Sequence, residues 1–268
     1  MPKEDIKKEK EEAFVRLQKD LEVEGFRKGK APLSVAKKHL TDDQIYQEMI
    51  RKLLPKIYSE ILKKEDLKPI FNPKIELTKA KEGEDWQIKI TIALRPTVDL
   101  KNYKETVKKV KDKNKKPDIW VPGKDKEKKQ EEKDDSQMIN FILEALLKEI
   151  KVEISDLIIE EELNHRLSML VDDIRKIGLS TEAYLKSKNL TMDQLKENYK
   201  KEIEDTYKLE FILDEIANKE NIQVEQADLD KLFVNIKDEK QKQLAKENSY
   251  YYAIILRKQK TLDYLISL

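Results

Sequence analysis

Apolar residues recur every three or four positions through the first 64 residues, which is the spacing of one face of an α-helix. The first stripe predicts a helix that ends before Gly25, and its apolar members are Ile6, Phe14, Leu17 and Leu21. A short helix over 33–39 and a longer one over 42–64 are predicted to follow. Thr41 precedes the longer helix and can cap it, because its hydroxyl accepts a hydrogen bond from an otherwise unpaired backbone amide.

The hydrophobic spacing changes to every second residue between positions 75 and 94, which is typical of β-strands with one face in water. The alternating positions are Ile75 and Leu77, then Trp86, Ile88, Ile90, Ile92 and Leu94. With the turn sequence KEGED between them, these segments predict an antiparallel β-hairpin. Because an isolated two-stranded hairpin is only marginally stable in water, we expect it to pack against the helix over 42–64.

The periodicity disappears between residues 98 and 135, where lysines are frequent and apolar residues are few. Such a segment buries too little apolar surface to offset the loss of chain entropy, so it predicts a charged linker. Helical spacing then returns in segments at 138–150, 154–177, 180–187, 191–211, 225–236 and 249–266. The predicted fold is elongated and mostly helical, with an α+β domain over 1–97, the linker over 98–135 and an all-α domain over 136–268.

Charged residues make up 41% of the chain and hydrophobic residues 38%, so thin cores are expected. The net charge of +1 conceals an asymmetry. Residues 1–135 contain 35 Lys and Arg against 28 Asp and Glu (+7), whereas residues 136–268 contain 20 against 26 (−6). A moderately basic half suits a phosphate-rich surface, but this charge is too low for RNA binding by the electrostatic field alone.

Residues that catalysis or metal binding would require are scarce. The chain has no cysteine, which excludes a disulfide framework and a thiolate metal site. Its two histidines, His39 and His165, lie outside any metal-binding pattern, and its five glycines do not form the dinucleotide-binding pattern. We therefore expect no enzyme, no metal and no cofactor. With no secretory signal and no run of about 18 apolar residues, we also expect a cytosolic protein without a membrane partner.

The segment GFRKGKAP at residues 25–32 lies between two predicted helices. Its two glycines allow sharp backbone turns, which would display Phe26, Arg27 and Lys28 at a rigid tip. An aromatic ring beside a guanidinium is typical of interface hot spots, since the ring fills a pocket and the guanidinium makes bidentate contacts to carboxylate or phosphate. Judged from its residues alone, however, such a turn is more often a solvated basic loop.

This segment resembles the ribosome-docking signature of the bacterial trigger factor family. The similarity continues in ITIALRPTVDLKNY at 90–103, VEISDLIIEEELNHRL at 152–167, NIQVEQADLDK at 221–231 and ILRKQKTLDYLIS at 255–267. Each of these later segments is a weak signal by itself, but they occur in the order that the family has. The resemblance covers most of both predicted domains.

The resemblance implies an ATP-independent chaperone that docks at the ribosomal exit tunnel and shelters nascent polypeptides by hydrophobic, weak and multi-site binding. It implies a ribosome-binding set of Gly25, Phe26, Arg27, Lys28, Gly29, Lys30 and Pro32. The tip at 26–28 would contact a large-subunit ribosomal protein beside the tunnel. We include ribosomal RNA as a further partner, and a second copy of the chain in a homodimer when the protein is free.

Two departures from the family pattern are expected to matter. Where the family inserts a prolyl isomerase domain, this chain has only about 35–40 lysine-rich residues. Folded domains usually have at least about 50 residues, so this segment is too short to form an isomerase pocket. We therefore predict that it has no prolyl isomerase activity. The family's first N-terminal strands are also missing before the first helix, which would leave an edge of the hairpin bare.

Client binding requires exposed apolar surface, and the candidates are Met138, Phe141, Leu146, Tyr250, Tyr251 and Tyr252. Ordinary core packing is the more common role for any one of these residues. Two other functions stay open. One is an extracytoplasmic folding factor of the SurA type, whose helical domain is similar. The other is a non-enzymatic scaffold that binds RNA or ribosomes through its basic half, with a steep salt dependence.

Overall fold

A computed structural model of the chain describes residues 1–81, 83–114, 128–234 and 238–268. The described residues form two compact units, Met1–Arg95 and Pro96–Leu268. Both units are dominated by helices, and the described strands form one two-stranded antiparallel sheet. The predicted combination of an α+β unit with an all-α unit is confirmed.

The first unit contains three helices followed by a hairpin: α1 (Lys3–Asp20), α2 (Leu33–His39), α3 (Asp42–Lys64), β1 (Lys74–Lys79) and β2 (Gln87–Thr91). Thr41 caps α3 as predicted, since its hydroxyl accepts a hydrogen bond from the Gln44 amide while the Gln44 side chain accepts from the Thr41 amide. The helix continues through Pro55.

The core of the first unit lies between α1 and α3 and contains the buried residues Ile6, Ala13, Ile45, Met49, Leu53 and Trp86. The predicted hairpin is confirmed, with Ile75 opposite Ile90 and Leu77 opposite Ile88. Its contact with α3 runs through Trp86, whose ring centroid lies 5.8 Å from that of Tyr46. The residues of β1 and β2 are half-buried or exposed. The expected packing of the hairpin on α3 is therefore found only at the end of the hairpin that contains Trp86.

The second unit contains α4 (Tyr103–Asn114), α5 (Lys128–Glu149), α6 (Asp156–Lys176), α7 (Thr181–Ser187), α8 (Met192–Lys219), α9 (Gln226–Val234), α10 (Glu239–Glu247) and α11 (Ser249–Ser267). Its main core is formed by α4, α5, α8 and α11 and includes Val107, Ile142, Leu146, Ile212, Ile216 and Leu265. A smaller cluster joins α9, α10 and α11 around Phe233.

The predicted linker over 98–135 is wrong where the structure describes it. Leu100, Tyr103 and Val107 are buried in the main core of the second unit, so the start of the segment is part of a folded domain. The helix α5 also begins earlier than predicted, at Lys128. Residues 115–127 lie outside the described residues. The boundary between the two units falls after Arg95.

Candidate functional site: the turn between α1 and α2 and the exposed apolar surfaces

Two glycines shape the turn that connects α1 to α2. Gly25 and Gly29 have positive φ angles of 86° and 74°, in the left-handed region that side chains with a Cβ rarely adopt. The turn closes through backbone hydrogen bonds in which the Phe26 amide donates to the Val23 carbonyl at 3.0 Å and the Lys30 amide donates to the Arg27 carbonyl at 2.9 Å. The sharp turns expected from the two glycines are therefore present.

The turn is braced against the end of α1. The Gly29 amide donates to the Leu21 carbonyl at 3.0 Å, and the Gln18 side-chain amide donates to the Ala31 carbonyl at 2.8 Å. Ala31 is buried. A Cβ on residue 29 would lie 2.4 Å from the carbonyl oxygen of Lys19, so only glycine allows this close approach. These contacts fix the turn to the helix that precedes it.

Phe26, Arg27 and Lys28 project from this braced turn into solvent. Phe26 is 43% exposed, so part of its ring is accessible to a partner. Arg27 and Lys28 are exposed, and the Lys28 ammonium lies 3.4 Å from the exposed Glu22 carboxylate, a distance typical of a weak surface ion pair. The structure therefore places the three predicted tip residues together, with an apolar ring and two cations available to a partner.

The other predicted docking residues lie beside the tip. Gly25, Lys30 and Pro32 are exposed, whereas Gly29 is partly buried against α1. Gly29 therefore holds the turn in place and presents little surface of its own. Both histidines are exposed as well.

A groove of about 880 Å³ opens in the first unit between α1, α2, the start of α3 and the turn at Gly83. Its apolar lining includes Ile6, Phe14, Val15, Leu33, Leu40 and Ile45. Val15 and Leu33 are exposed although they are large and apolar. Sequence reasoning missed this groove, because helical spacing shows which residues share a face but not which part of the face stays uncovered.

The candidate client-binding residues of the second unit fall into two groups. Phe141 is 45% exposed, Tyr250 80% and Tyr251 62%. Leu146, in contrast, is fully buried in the main core, so the prediction that it is available to clients is wrong. It points inward because it lies four residues after Ile142, on the face of α5 that packs in the main core.

Met138 and Tyr252 are intermediate cases. Met138 is partly buried against the main core, and Tyr252 packs edge-on against Phe233 with ring centroids 5.5 Å apart. Both residues contribute to packing and keep only part of their surface exposed. The structure also exposes apolar residues that sequence reasoning did not select, namely Met169, Ile177, Leu179, Val234, Leu244, Ile254 and Ile255.

A cluster around Glu220 joins three helices of the second unit. The Glu220 carboxylate accepts hydrogen bonds from the Tyr103 hydroxyl at 2.7 Å and the Tyr264 hydroxyl at 2.8 Å, and it lies 2.8 Å from the Lys104 ammonium. Hydrogen bonds from Lys104, Tyr103 and Tyr264 lower the pKa of Glu220 to about 2. This fully paired carboxylate is a structural connection and is unsuited to proton transfer near neutral pH.

Within the described ranges, no group of three or more His, Cys, Asp or Glu side chains could hold a metal ion. In the same part of the chain, no helix has both the length and the apolar character needed to cross a bilayer.

Comparison with known proteins decides the family. The model of the bacterial trigger factor protein matches residues 1–121, and the model of the bacterial trigger factor C-terminus matches residues 123–266. The chain belongs to the bacterial trigger factor family. The two trigger factor matches leave a single residue, 122, between them.

Curated relatives share about a third of their residues with this trigger factor chain over the aligned segment. The trigger factor of Lactiplantibacillus plantarum is 34% identical over 95 residues, which cover 35% of this chain and 22% of the relative. The trigger factor of Staphylococcus aureus strain JH9 is 34% identical over 104 residues, covering 39% and 24%. These alignments therefore span about a quarter of the relatives' length or less.

The fold of the whole chain resembles that of a solved structure of the trigger factor chaperone, described for promiscuous substrate recognition in folding and assembly. The TM-score is 0.62 at 16% identity, and the match covers 100% of this chain and 95% of the other. At this identity the likeness supports the fold alone.

Proposed function

We propose that this trigger factor chain is an ATP-independent, cytoplasmic chaperone that docks at the ribosomal exit tunnel and shelters nascent polypeptides. The observation that carries the proposal is the turn at 25–32, which displays Phe26, Arg27 and Lys28 in solvent while Gly29 is held against α1. A solvated loop would not require this bracing. A docking tip does, because immobilised contact residues lose less entropy on binding.

The chemistry of the tip defines the partner surface that it fits. Phe26 needs an apolar pocket, and Arg27 needs a carboxylate or phosphate within reach of its guanidinium. We assign this surface to a large-subunit ribosomal protein beside the tunnel. Ribosomal RNA is a further partner in the proposal, through the cations at 28 and 30, and free molecules would pair as homodimers.

Client binding is proposed to use several separate apolar surfaces. In the second unit these are Phe141, Tyr250 and Tyr251, and in the first unit the groove between α1 and α2. Each exposes only a small apolar area, so each contact is weak and clients can leave without nucleotide hydrolysis. Aromatic side chains are also enriched at protein interfaces, which favours this use of Phe141, Tyr250 and Tyr251.

The proposal includes no prolyl isomerase activity. The two family matches leave no room for a further domain between residues 121 and 123, which supports this part of the proposal. A protease-coupled proline isomerisation assay on a short peptide tests it. The proposal predicts no acceleration above the uncatalysed rate at micromolar protein, and a rate that rises in proportion to protein concentration would contradict it.

Co-sedimentation with 70S ribosomes tests the docking site directly. The test variant carries Phe26→Ala, Arg27→Ala and Lys28→Ala. The control variant carries Ile61→Ala, Lys63→Ala and Lys64→Ala at the end of α3, which removes one exposed apolar side chain and two exposed cations from the same unit. Hot-spot residues contribute about 2 kcal/mol or more, so we expect roughly 30-fold weaker binding for the test variant and little change for the control.

Equal loss in both variants, or binding that depends only on salt concentration, would refute docking through the tip and favour the RNA-binding scaffold. Suppression of aggregation by an unfolded client, measured without ribosomes, tests client binding separately. It should persist in the test variant, because the tip residues are not among the proposed client contacts.

A further inference from the structure

The last helix of the chain, α11, belongs to two separate hydrophobic clusters. Its first half, with Tyr252, packs together with α9 and α10 in the small cluster around Phe233. Its second half, with Leu265, packs in the main core. The polar sequence RKQKT at 257–261 lies between the two halves and contains no apolar side chain. We call α9, α10 and residues 249–256 of α11 the lobe.

Arg257 connects α11 to the point where the chain enters the lobe. Its Nε donates to the Ile222 carbonyl at 2.9 Å, in the connection from α8 to α9. Its Nη1 donates to the Asp214 carboxylate and its Nη2 to the Asn218 side-chain oxygen, each at 2.7 Å. Both of these acceptors lie on α8. One planar guanidinium therefore fixes three elements in a defined geometry.

Lys260 makes a second connection, directly to the first helix of the lobe. Its ammonium donates to the Gln223 carbonyl at 3.2 Å and to the Asp228 carboxylate in the first turn of α9. The same carboxylate accepts from the Glu225 amide at 2.9 Å. Lys260 therefore binds both the connection from α8 to α9 and the start of α9 to α11.

The backbone of this connection turns sharply at Asn221. Asn221 has a positive φ of 53°, and the next amide, of Ile222, donates to the Ala217 carbonyl at 2.8 Å, which ends α8. The chain enters the lobe through residues 221–225 and leaves it through α11. Side chains from α11 thus bind the incoming segment to the outgoing one.

We propose that Arg257 and Lys260 are positioning residues that hold the lobe in one orientation relative to the main core. The lobe carries the exposed rings of Tyr250 and Tyr251, so its orientation determines where these rings lie. That the rings contact client polypeptides rests on the proposed function; the connection of the lobe does not. Contact residues that are already immobilised lose less entropy on binding, so a held lobe binds clients more tightly.

These bonds are expected to affect the orientation of the lobe more than the stability of the fold. The ion-paired side chains of Arg257 and Lys260 and of their acidic partners are between 24% and 36% exposed. Solvent screens such pairs, so they contribute little to the free energy of unfolding. The apolar clusters on both sides do not contain these residues, and variants at 257 and 260 should remain folded.

The distance between a spin label on the lobe and one on the main core tests the proposal in the full chain. Lys246→Cys labels α10 and Lys108→Cys labels α4, and both lysines are exposed. The chain has no cysteine of its own, so labels attach only at these positions. Double electron–electron resonance then reports the distribution of the distance between them.

The test variants are Arg257→Met and Lys260→Met, each of which removes the hydrogen bonds but keeps an unbranched side chain. The matched control is Lys258→Met. It removes the neighbouring cation of α11, whose partner Glu210 lies on α8, outside both the connection and the lobe. Circular dichroism verifies that the variants are folded, and Lys260→Met supplies a second test if Arg257→Met unfolds.

We expect one narrow distribution for the unmodified chain and for Lys258→Met, and a broadened or shifted one for each test variant. Suppression of client aggregation should require about fivefold more protein in the test variants, because a mobile contact surface must be ordered on binding. An unchanged distribution in both test variants, or an equal change in the control, would overturn the proposal.

A variant with Tyr250→Ser and Tyr251→Ser keeps the two proposals apart. If it suppresses aggregation as well as the unmodified chain does while the test variants broaden the distribution, the assignment of these rings to client binding fails and the positioning of the lobe stands. If the tyrosine variant loses suppression but the test variants keep it despite a broadened distribution, the orientation of the lobe has no effect on client binding and the proposal is overturned.

Discussion

Replacing Gly29 by alanine tests whether the turn at residues 25–32 depends on its contact with α1. Gly29 has a φ of 74°, and an added Cβ would lie 2.4 Å from the Lys19 carbonyl oxygen and 3.1 Å from the carbonyl carbon and the Cα of the same residue. All three are backbone atoms, so they cannot rotate away. Either the last turn of α1 or the turn at residues 25–32 must move.

Two costs add up at this position. The left-handed conformation costs an alanine about 1–2 kcal/mol, and overpacking against a fixed neighbour costs about 1–3 kcal/mol, which gives roughly 2–5 kcal/mol for Gly29→Ala. Gly25→Ala is the matched control. Gly25 has a φ of 86° but nothing within 4 Å of its added Cβ, so it carries the conformational cost of about 1–2 kcal/mol alone.

Urea unfolding followed by the fluorescence of Trp86 measures this difference, because Trp86 is buried in the first unit. The chain has two tryptophans, so a Trp120→Phe background makes Trp86 the only reporter. Gly29→Ala should also weaken ribosome co-sedimentation more than Gly25→Ala. Equal free energies of unfolding for the two variants would refute the argument that the turn is braced by this contact.

Two further predictions concern the second unit. Leu146→Ala should lower the free energy of unfolding by about 2–5 kcal/mol. Phe141→Ala, five residues earlier and 45% exposed, should lower it by only about 1 kcal/mol and should also reduce suppression of client aggregation. The pKa of Glu220 is lowered to about 2 in the folded chain, below the ordinary glutamate pKa of about 4.3. The charged form of Glu220 therefore stabilises the second unit fully at pH values above about 4.3, and this contribution is lost as the pH falls toward 2. Glu220→Gln should therefore flatten the decrease in the free energy of unfolding over this range; an unchanged pH profile by circular dichroism would contradict the assignment.

Much of the fold could be predicted because local signals agreed with tertiary packing. Capping residues fix the starts of helices in the sequence itself, as Thr41 does for α3 and Thr191 for α8, each with a glutamine three residues later. Strict alternation around Ile88 likewise identified the hairpin. The sharp turn at residues 25–32 was predictable for the same reason, since its two glycines adopt the positive φ angles that the backbone needs there.

The errors arose where packing depends on distant residues. The helix α4 has few apolar positions among many lysines, and it is stable because Tyr103 and Val107 pack in a core shared with residues more than 100 positions away. Leu146 and Phe141 look alike in sequence, but only the structure shows which face of α5 is covered. The pairing of Met1 with Trp86 could not be predicted, because it leaves no trace in the spacing of residues.

The connection between α4 and the end of the chain has a consequence for biosynthesis. The Tyr103 hydroxyl meets Glu220, and Leu265 completes the core that contains Val107, so these contacts close loops of more than 100 residues. During translation the first unit, whose contacts lie within residues 1–95, can fold early. The second unit must wait, with α4 and α5 unprotected, until α11 has left the ribosome. A stop codon that removes the last turn of α11 would take away Tyr264 and Leu265, so the second unit would leave the ribosome without the contacts that close it.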